Sequence, residues 1–163
     1  MNSAYCFEEI TENNQEVAFT IYQVNRAYFA LTGEVPTQES VTQDRTSRPS
    51  QLSSEQKHFL LVRFAGQPVA VVDLLTGYPE ASSGYLGLLL VGEPRQGHGR
   101  RIVSLIEEWL RTQGYTRLEL GVLEQNTQGL AFWTSQGFEP FGVGSALIND
   151  QPHSVIKFEK GFV

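Results

Sequence analysis

The chain has 163 residues, 40% hydrophobic and 18% charged, with a formal net charge of −6. That length suits one domain with a sizeable core, so residues 1–163 read as a single unit. The acidic balance excludes a broad basic face for nucleic acid, and no apolar run approaches the ~20 residues that span a bilayer. The N-terminal "MNSAYCFEEI" shows no basic segment followed by an apolar one, so no leader is visible and a cytoplasmic protein is expected. The lone Cys6 cannot form an internal disulfide, and His58, His98 and His153 have no metal-ligand spacing, so no metal is expected.

In chain order, "AYCFEEIT" reads as a first strand. From Asn13 to Leu31 the residues Val17, Ile21, Val24, Tyr28 and Leu31 recur at helical spacing, with Gly33 as the stop. Residues 34–56 are polar and predict a short second helix followed by a loop. "HFLLVRF" (58–64) and "VAVVDLL" (69–75), joined by "AGQP", predict a β-hairpin. "YLGLLLV" (85–91) is continuously apolar, as a strand buried on both faces is. Ile102, Leu105, Ile106, Trp109 and Leu110 then fall at i, i+3, i+4, i+7, i+8, an amphipathic helix that ends at Gly114. "TRLELGV" alternates as a strand, "NTQGLAFWTSQG" gives a short helix between Asn126 and Gly137, and "FEPFGVGSAL" and "HSVIKFEK" close the chain as strands.

The join "PRQGHGRR" sets Arg95, Arg100 and Arg101 around Gly97 and Gly99, between a strand and a helix. The first amides of such a helix lack intrahelical partners and carry the positive end of its dipole. Glycine lets an anion approach them, and arginine adds charge-assisted bonds. Cations at a helix N-terminus are otherwise unfavourable, so a phosphate or pyrophosphate is the predicted ligand, against the alternative of solvated arginines beside a purely geometric turn. A P-loop is excluded because no lysine lies between Lys57 and Lys157, and Ile102 stands where a dinucleotide fingerprint needs its third glycine.

The ordered combination in "GHGRRIVSLIEEWLRTQGYTRLELGVLEQNTQGLAFWTSQGFEPFG" (97–142) resembles the GNAT superfamily of coenzyme A-dependent N-acetyltransferases. The family pattern is [QR]xxGx[GA], a helix, a strand, then Asn and an AxxxYxxxGF-like segment; here Pro94 occupies the first position of the glycine motif. The resemblance implies an α/β fold of GNAT type: a mixed, mostly antiparallel sheet of about seven strands with about four helices, splayed at strands 4 and 5. It also implies acetyl-CoA as acyl donor, its pyrophosphate on the turn formed by Arg95, Gln96, Gly97, His98, Gly99, Arg100 and Arg101. The pantetheine would run along Leu89, Leu90 and Val91, and Asn126 would touch the cofactor, or cap its helix, or both.

Where the family often has a glutamate base and a tyrosine acid, this chain has Tyr85, Gly121 and Trp133. Asp73, interrupting an apolar run on the face of Val69 and Val71, is the candidate base, a solvated or ion-paired aspartate being the alternative. Tyr85 is a candidate acid, while Tyr28, Tyr78 and Trp133 are candidate walls of the acceptor pocket, with core packing as the other role for each. His98 lies in the phosphate turn, away from any thioester. The implied activity is direct acetyl transfer to a small-molecule or peptide amine by a monomer or homodimer. A non-catalytic acyl-CoA sensor and a plain interaction module are the alternatives.

Overall fold

The computed structural model describes residues 4–93 and 96–162. In chain order the elements are β1 (Tyr5–Glu9), α1 (Gln15–Val24), α2 (Arg26–Ala30), α3 (Gln38–Thr46), β2 (Lys57–Phe64), β3 (Gln67–Thr76), β4 (Ser83–Val91), α4 (His98–Thr112), β5 (Arg117–Leu123), α5 (Thr127–Ser135), β6 (Glu139–Ile148) and β7 (Gln151–Gly161). The seven strands form one sheet in the order β1-β2-β3-β4-β5-β7-β6. Of these neighbours only β4 and β5 run parallel, because α4 carries the chain back between them. This is the mixed, mostly antiparallel sheet of about seven strands that the family resemblance implies. No helix among the described residues is long and apolar enough to cross a membrane.

Two apolar layers hold the sheet. Ile102, Val103, Ile106 and Leu110 of α4 pack on one face against Val62, Val72, Leu74, Leu86 and Leu118, with Leu130, Phe132 and Trp133 of α5 beside them. On the other face Ala18, Ile21, Tyr22, Phe29 and Val41, from α1 to α3, cover Phe59, Leu61, Val71 and Leu90. β4 contributes to both layers, which is why its sequence reads as an unbroken apolar run.

Five α-helices form where about four are expected, because the stretch 13–31 breaks at Asn25. Asn25 Nδ2 donates to the Ile21 carbonyl at 2.9 Å and to the Val91 carbonyl at 3.0 Å, tying the break to the end of β4. The buried stripe is Ala18, Ile21, Tyr22 and Phe29, whereas Val24 is 61% exposed. The helical period is right and its phase is shifted.

Pairing between β4 and β5 covers only Ser83–Leu86 against Arg117–Leu120. Beyond it the strands run on to Val91 and Leu123 with no register between them, so the sheet opens there as a splay at strands 4 and 5. A β-bulge lies at the same level: Asp73 pairs with Leu88 and Leu74 with Leu86, leaving Gly87 as the extra residue. A second bulge at Val69 turns that side chain to the α4 layer, away from the Val71 and Asp73 face on which alternation would put it.

Leu110 is fully buried, and Gly84 is the sheet position beneath it: a Cβ there would lie 2.9 Å from Leu110 Cδ1. Leu110→Ala should cost about 2–5 kcal/mol. At about 2–4 °C per kcal/mol for a chain of this size, thermal denaturation should show a drop of roughly 4–20 °C.

Candidate active site

Gly97 is the N-cap of α4 at φ +77, a left-handed conformation that suits glycine, and no side chain caps the helix among the described residues. The first helical bond runs from the Arg101 amide to the Gly97 carbonyl at 3.2 Å, and the first turn holds no acidic residue. Arg100 and Arg101 are exposed and enter none of the ion pairs among the described residues. A Cβ added at Gly97 would meet nothing within 4 Å of the described residues, so the turn is open at that position. Gly99 sits in a tight contact instead: a Cβ there would lie 3.3 Å from Phe132 Cζ of α5, so that ring would have to give by a few tenths of an ångström. His98 is held from behind, its Nδ1 at 2.7 Å from Tyr5 Oη. Gln96 is exposed beside the turn, and Arg95 lies outside the described residues.

From this turn the cleft edge leads down β4. Leu90 is buried against the α1–α3 layer, while Leu89 and Val91 turn to the α4 layer. All three pair with β3 on one side and with nothing on the β5 side. Across the opening, Asn126 caps α5, its Oδ1 accepting from the Gly129 amide at 3.0 Å. That bond occupies its oxygen and leaves the side-chain amide group as a donor.

On the α1–α3 face, at the level of the bulge, sits Asp73. Its Oδ2 accepts from Lys57 Nζ at 2.8 Å, and its Oδ1 is buried without a hydrogen-bond partner. A Cβ added at Gly87 would lie 3.6 Å from Oδ2, so the carboxylate stands over the bulge. Burial drives its pKa up to about 6, Lys57 pulls it back, and Asp44 adds a further rise. Asp73 is thus ion-paired, as one of the two readings has it, and it titrates above the ordinary carboxylate range.

Tyr85 projects from β4 on this face toward the β5 side of the opening, its Oη 3.5 Å from where a Cβ on Gly121 would be. Its ring meets Tyr78 edge-on at 5.4 Å. Burial, then the neighbouring Tyr78, Glu119 and Tyr28, raise its pKa, so its hydroxyl is held protonated. Tyr28, 37% exposed, also titrates above its ordinary value, through burial and then Glu34 and Asp44. Tyr28, Tyr78 and Tyr85 are thus brought together. Trp133 is not with them: it packs edge-on against Phe132 at 4.9 Å and Phe138 at 5.1 Å in the α4 layer.

Several participants escape a reading by motif. Lys57 reaches Asp73 only because β2 and β3 pair antiparallel. Tyr22 Oη donates to Asp44 Oδ2 at 2.7 Å, which links α1 to α3 beneath the acidic side of the pocket. His153 of β7 has its Nε2 buried and unpartnered, and it lies one alternation beyond Val155, whose Cγ1 is 2.7 Å from the added Cβ of Gly121. Strand alternation could have placed His153 on this face, had its pairing been known.

Comparisons with known proteins bear on the family and the fold. The description "Acetyltransferase (GNAT) family" belongs to a family model that matches residues 19–138. No curated protein sequence matches the chain. Among solved structures, an acetyltransferase from Thermus thermophilus is 25% identical, with a TM-score of 0.73 and 97% of each chain covered. A ribosomal-protein-alanine N-acetyltransferase from Brucella melitensis, 19% identical, gives a TM-score of 0.66 with 96% of this chain and 99% of the other covered. An acetyltransferase of the GNAT family from Streptococcus pneumoniae, also 19% identical, gives 0.63 over 97% and 99%. With uncapped amides at one end of the β4–β5 opening and a raised carboxylate at the other, and with most of its length matched by the family, the chain belongs to the GNAT acetyltransferases.

Proposed function

We propose that this protein transfers an acetyl group from acetyl-CoA directly to the amine of a cationic acceptor. The observation that carries the reading is the opening of β4 from β5 between two chemically opposite ends. At one end the amides of the α4 turn, with Arg100 and Arg101, hold the donor's pyrophosphate. The edge of Leu89–Val91 offers main-chain groups to the pantetheine, and Asn126 adds its side-chain donor.

At the other end Asp73 takes the proton from the acceptor ammonium, leaving a free amine to attack the thioester carbonyl. Main-chain amides of β4 beside the bulge polarise that carbonyl, and Tyr85 protonates the departing sulfur. Since a thiol of pKa about 8.5 leaves readily near neutrality, the loss of the family's tyrosine at Trp133 is tolerable. A covalent relay through Cys6 has no support: that residue is exposed on β1, three strands from β4. Asp44, Asp73 and Glu34, with Lys57 among the charges that bear on Asp44 and Asp73, weight the pocket side toward negative, which favours a cationic amine, with Tyr28 and Tyr78 as walls.

Two measurements test this. Gly97→Val places a β-branched residue at positive φ and fills the phosphate approach. Binding of CoA should weaken at least 10-fold by calorimetry. Backbone strain of about 1–2 kcal/mol should lower the melting temperature by only about 2–8 °C. Unchanged CoA affinity would remove the turn from the site.

In the second, kcat/KM over an amine panel should rise with pH through an inflection near 6, since Asp73 must lose its proton to act and its pKa stands at about 6. Asp73→Asn should remove that limb and slow transfer about 10²–10⁴-fold. A retained inflection would take Asp73 out of the chemistry, and tight CoA binding with no thiol release would make the protein a sensor.

A further inference from the structure

On the same sheet face as Asp73, one strand closer to the β1 edge, a cavity of about 290 Å³ lies beside the C-terminal end of α3. Its floor is Ile10 and Phe59, 2% and 3% exposed, and its rim carries Arg45, Arg48 and Lys57 with the hydroxyls of Thr11, Thr46 and Ser54. Among the described residues, the only carboxylate in the lining is that of Glu9. In a chain of net charge −6, three basic residues lining one hollow are conspicuous.

Their hydrogen-bonding leaves capacity over. Arg48 Nε donates to the Leu52 carbonyl at 3.0 Å and Nη1 to the Thr46 carbonyl at 3.5 Å, which braces the guanidinium while leaving its remaining N–H groups unspent. Arg45 has one ion-pair partner among the described residues, Glu12 at 3.9 Å, and that carboxylate is 87% exposed. Such a contact contributes little in water. Lys57 is different: its side chain is 6% exposed, its stem lines the cavity, and its Nζ is bonded to Asp73.

We infer that this cavity binds a carboxylate or phosphate group between Arg45 and Arg48, with Lys57 as the wall it shares with Asp73. Two fork-shaped donors on an apolar floor, with hydroxyls beside them, match a tetrahedral or planar oxyanion. The group has two sources: a free anion, or the acidic end of an acceptor whose amine reaches Asp73. In either case a second negative charge competes with Asp73 for the Lys57 ammonium. The coupling to Asp73 rests on the acetyl-transfer reading; the anion site itself does not.

The test is a titration of the full chain with inorganic phosphate at constant ionic strength, followed by amide NMR. Thr11, Thr46 and Ser54 report on the cavity, and Gly97 and Gly99 report separately on the α4 turn. Saturable shifts at the cavity amides are expected, and Arg45→Gln/Arg48→Gln should weaken that binding at least 10-fold without moving the response at Gly99. Absent or non-saturating shifts at the cavity, or shifts unchanged in the double variant, would overturn the proposal. A response lost at Gly99 alone would instead count against the donor site.

The source is read from kcat/KM for paired amines with and without a carboxylate. A penalty of at least 10-fold in the double variant, confined to the carboxylate-bearing amine, assigns the site to the acceptor. Equal rates for the pair, combined with phosphate-dependent turnover that the double variant lacks, assign it to a free anion.

Discussion

Hydrogen bonding between β4 and β5 stops after Leu86 and Leu120, and the rest of the opening follows from that interruption. A sheet that stayed paired to Val91 would present no edge in its own middle. Because these two strands are the parallel pair, the return path through α4 sets the N-terminus of that helix over the gap. The positive end of a helix dipole and the free strand edge are thus consequences of one topological choice. The Gly87 bulge lies on β4 where pairing ends, and Asn25 fastens the break between α1 and α2 to the far end of the same edge.

Charge divides along this opening. An acidic chain keeps Arg100 and Arg101 outside the ion pairs of the described residues at one end, while Asp44, Asp73 and Glu34 gather at the other with Lys57 as their counterweight. The proposed acetyl transfer rests on this division of charge. Burial contributes to this: Asp73 is held in a region dry enough to raise its pKa, yet close enough to Lys57 to remain ionisable near neutrality. Tyr22 and Asp44 extend the same network back into α1 and α3, so the two helices are bonded through groups that also bear on the charge around Asp73.

The sheet, α4 and the glycine turn were legible because each rests on local signals: alternation, a 3.6-residue period, a glycine at either end of a helix. The break at Asn25 was not. Its cause is a hydrogen bond to Val91, sixty-six residues away, and the apolar period runs through it undisturbed. The buried stripe of α1 is out of phase with the apolar series as well: Tyr22, its hydroxyl on Asp44, is buried where Val24 is exposed. Asp73 stood out as a charge within an apolar strand, but Lys57 could be matched to it only through the β2–β3 register. Gly99 illustrates a different limit: the motif marks it, while the reason lies in Phe132 on another helix.

The single extra residue at Gly87 also decides which way β4 looks. Tyr85 and Leu88 are three positions apart, a separation that would send them to opposite sides of a regular strand, yet both face α1–α3. The inserted glycine resets the parity, so the half of β4 that carries Tyr85 and the half that runs from Leu88 to Val91 are rephased against each other. Removing that residue would turn the distal half inside out, exchanging Leu88 and Leu90 for Leu89 and Val91. The two halves of the cleft are joined in register by one residue without a side chain.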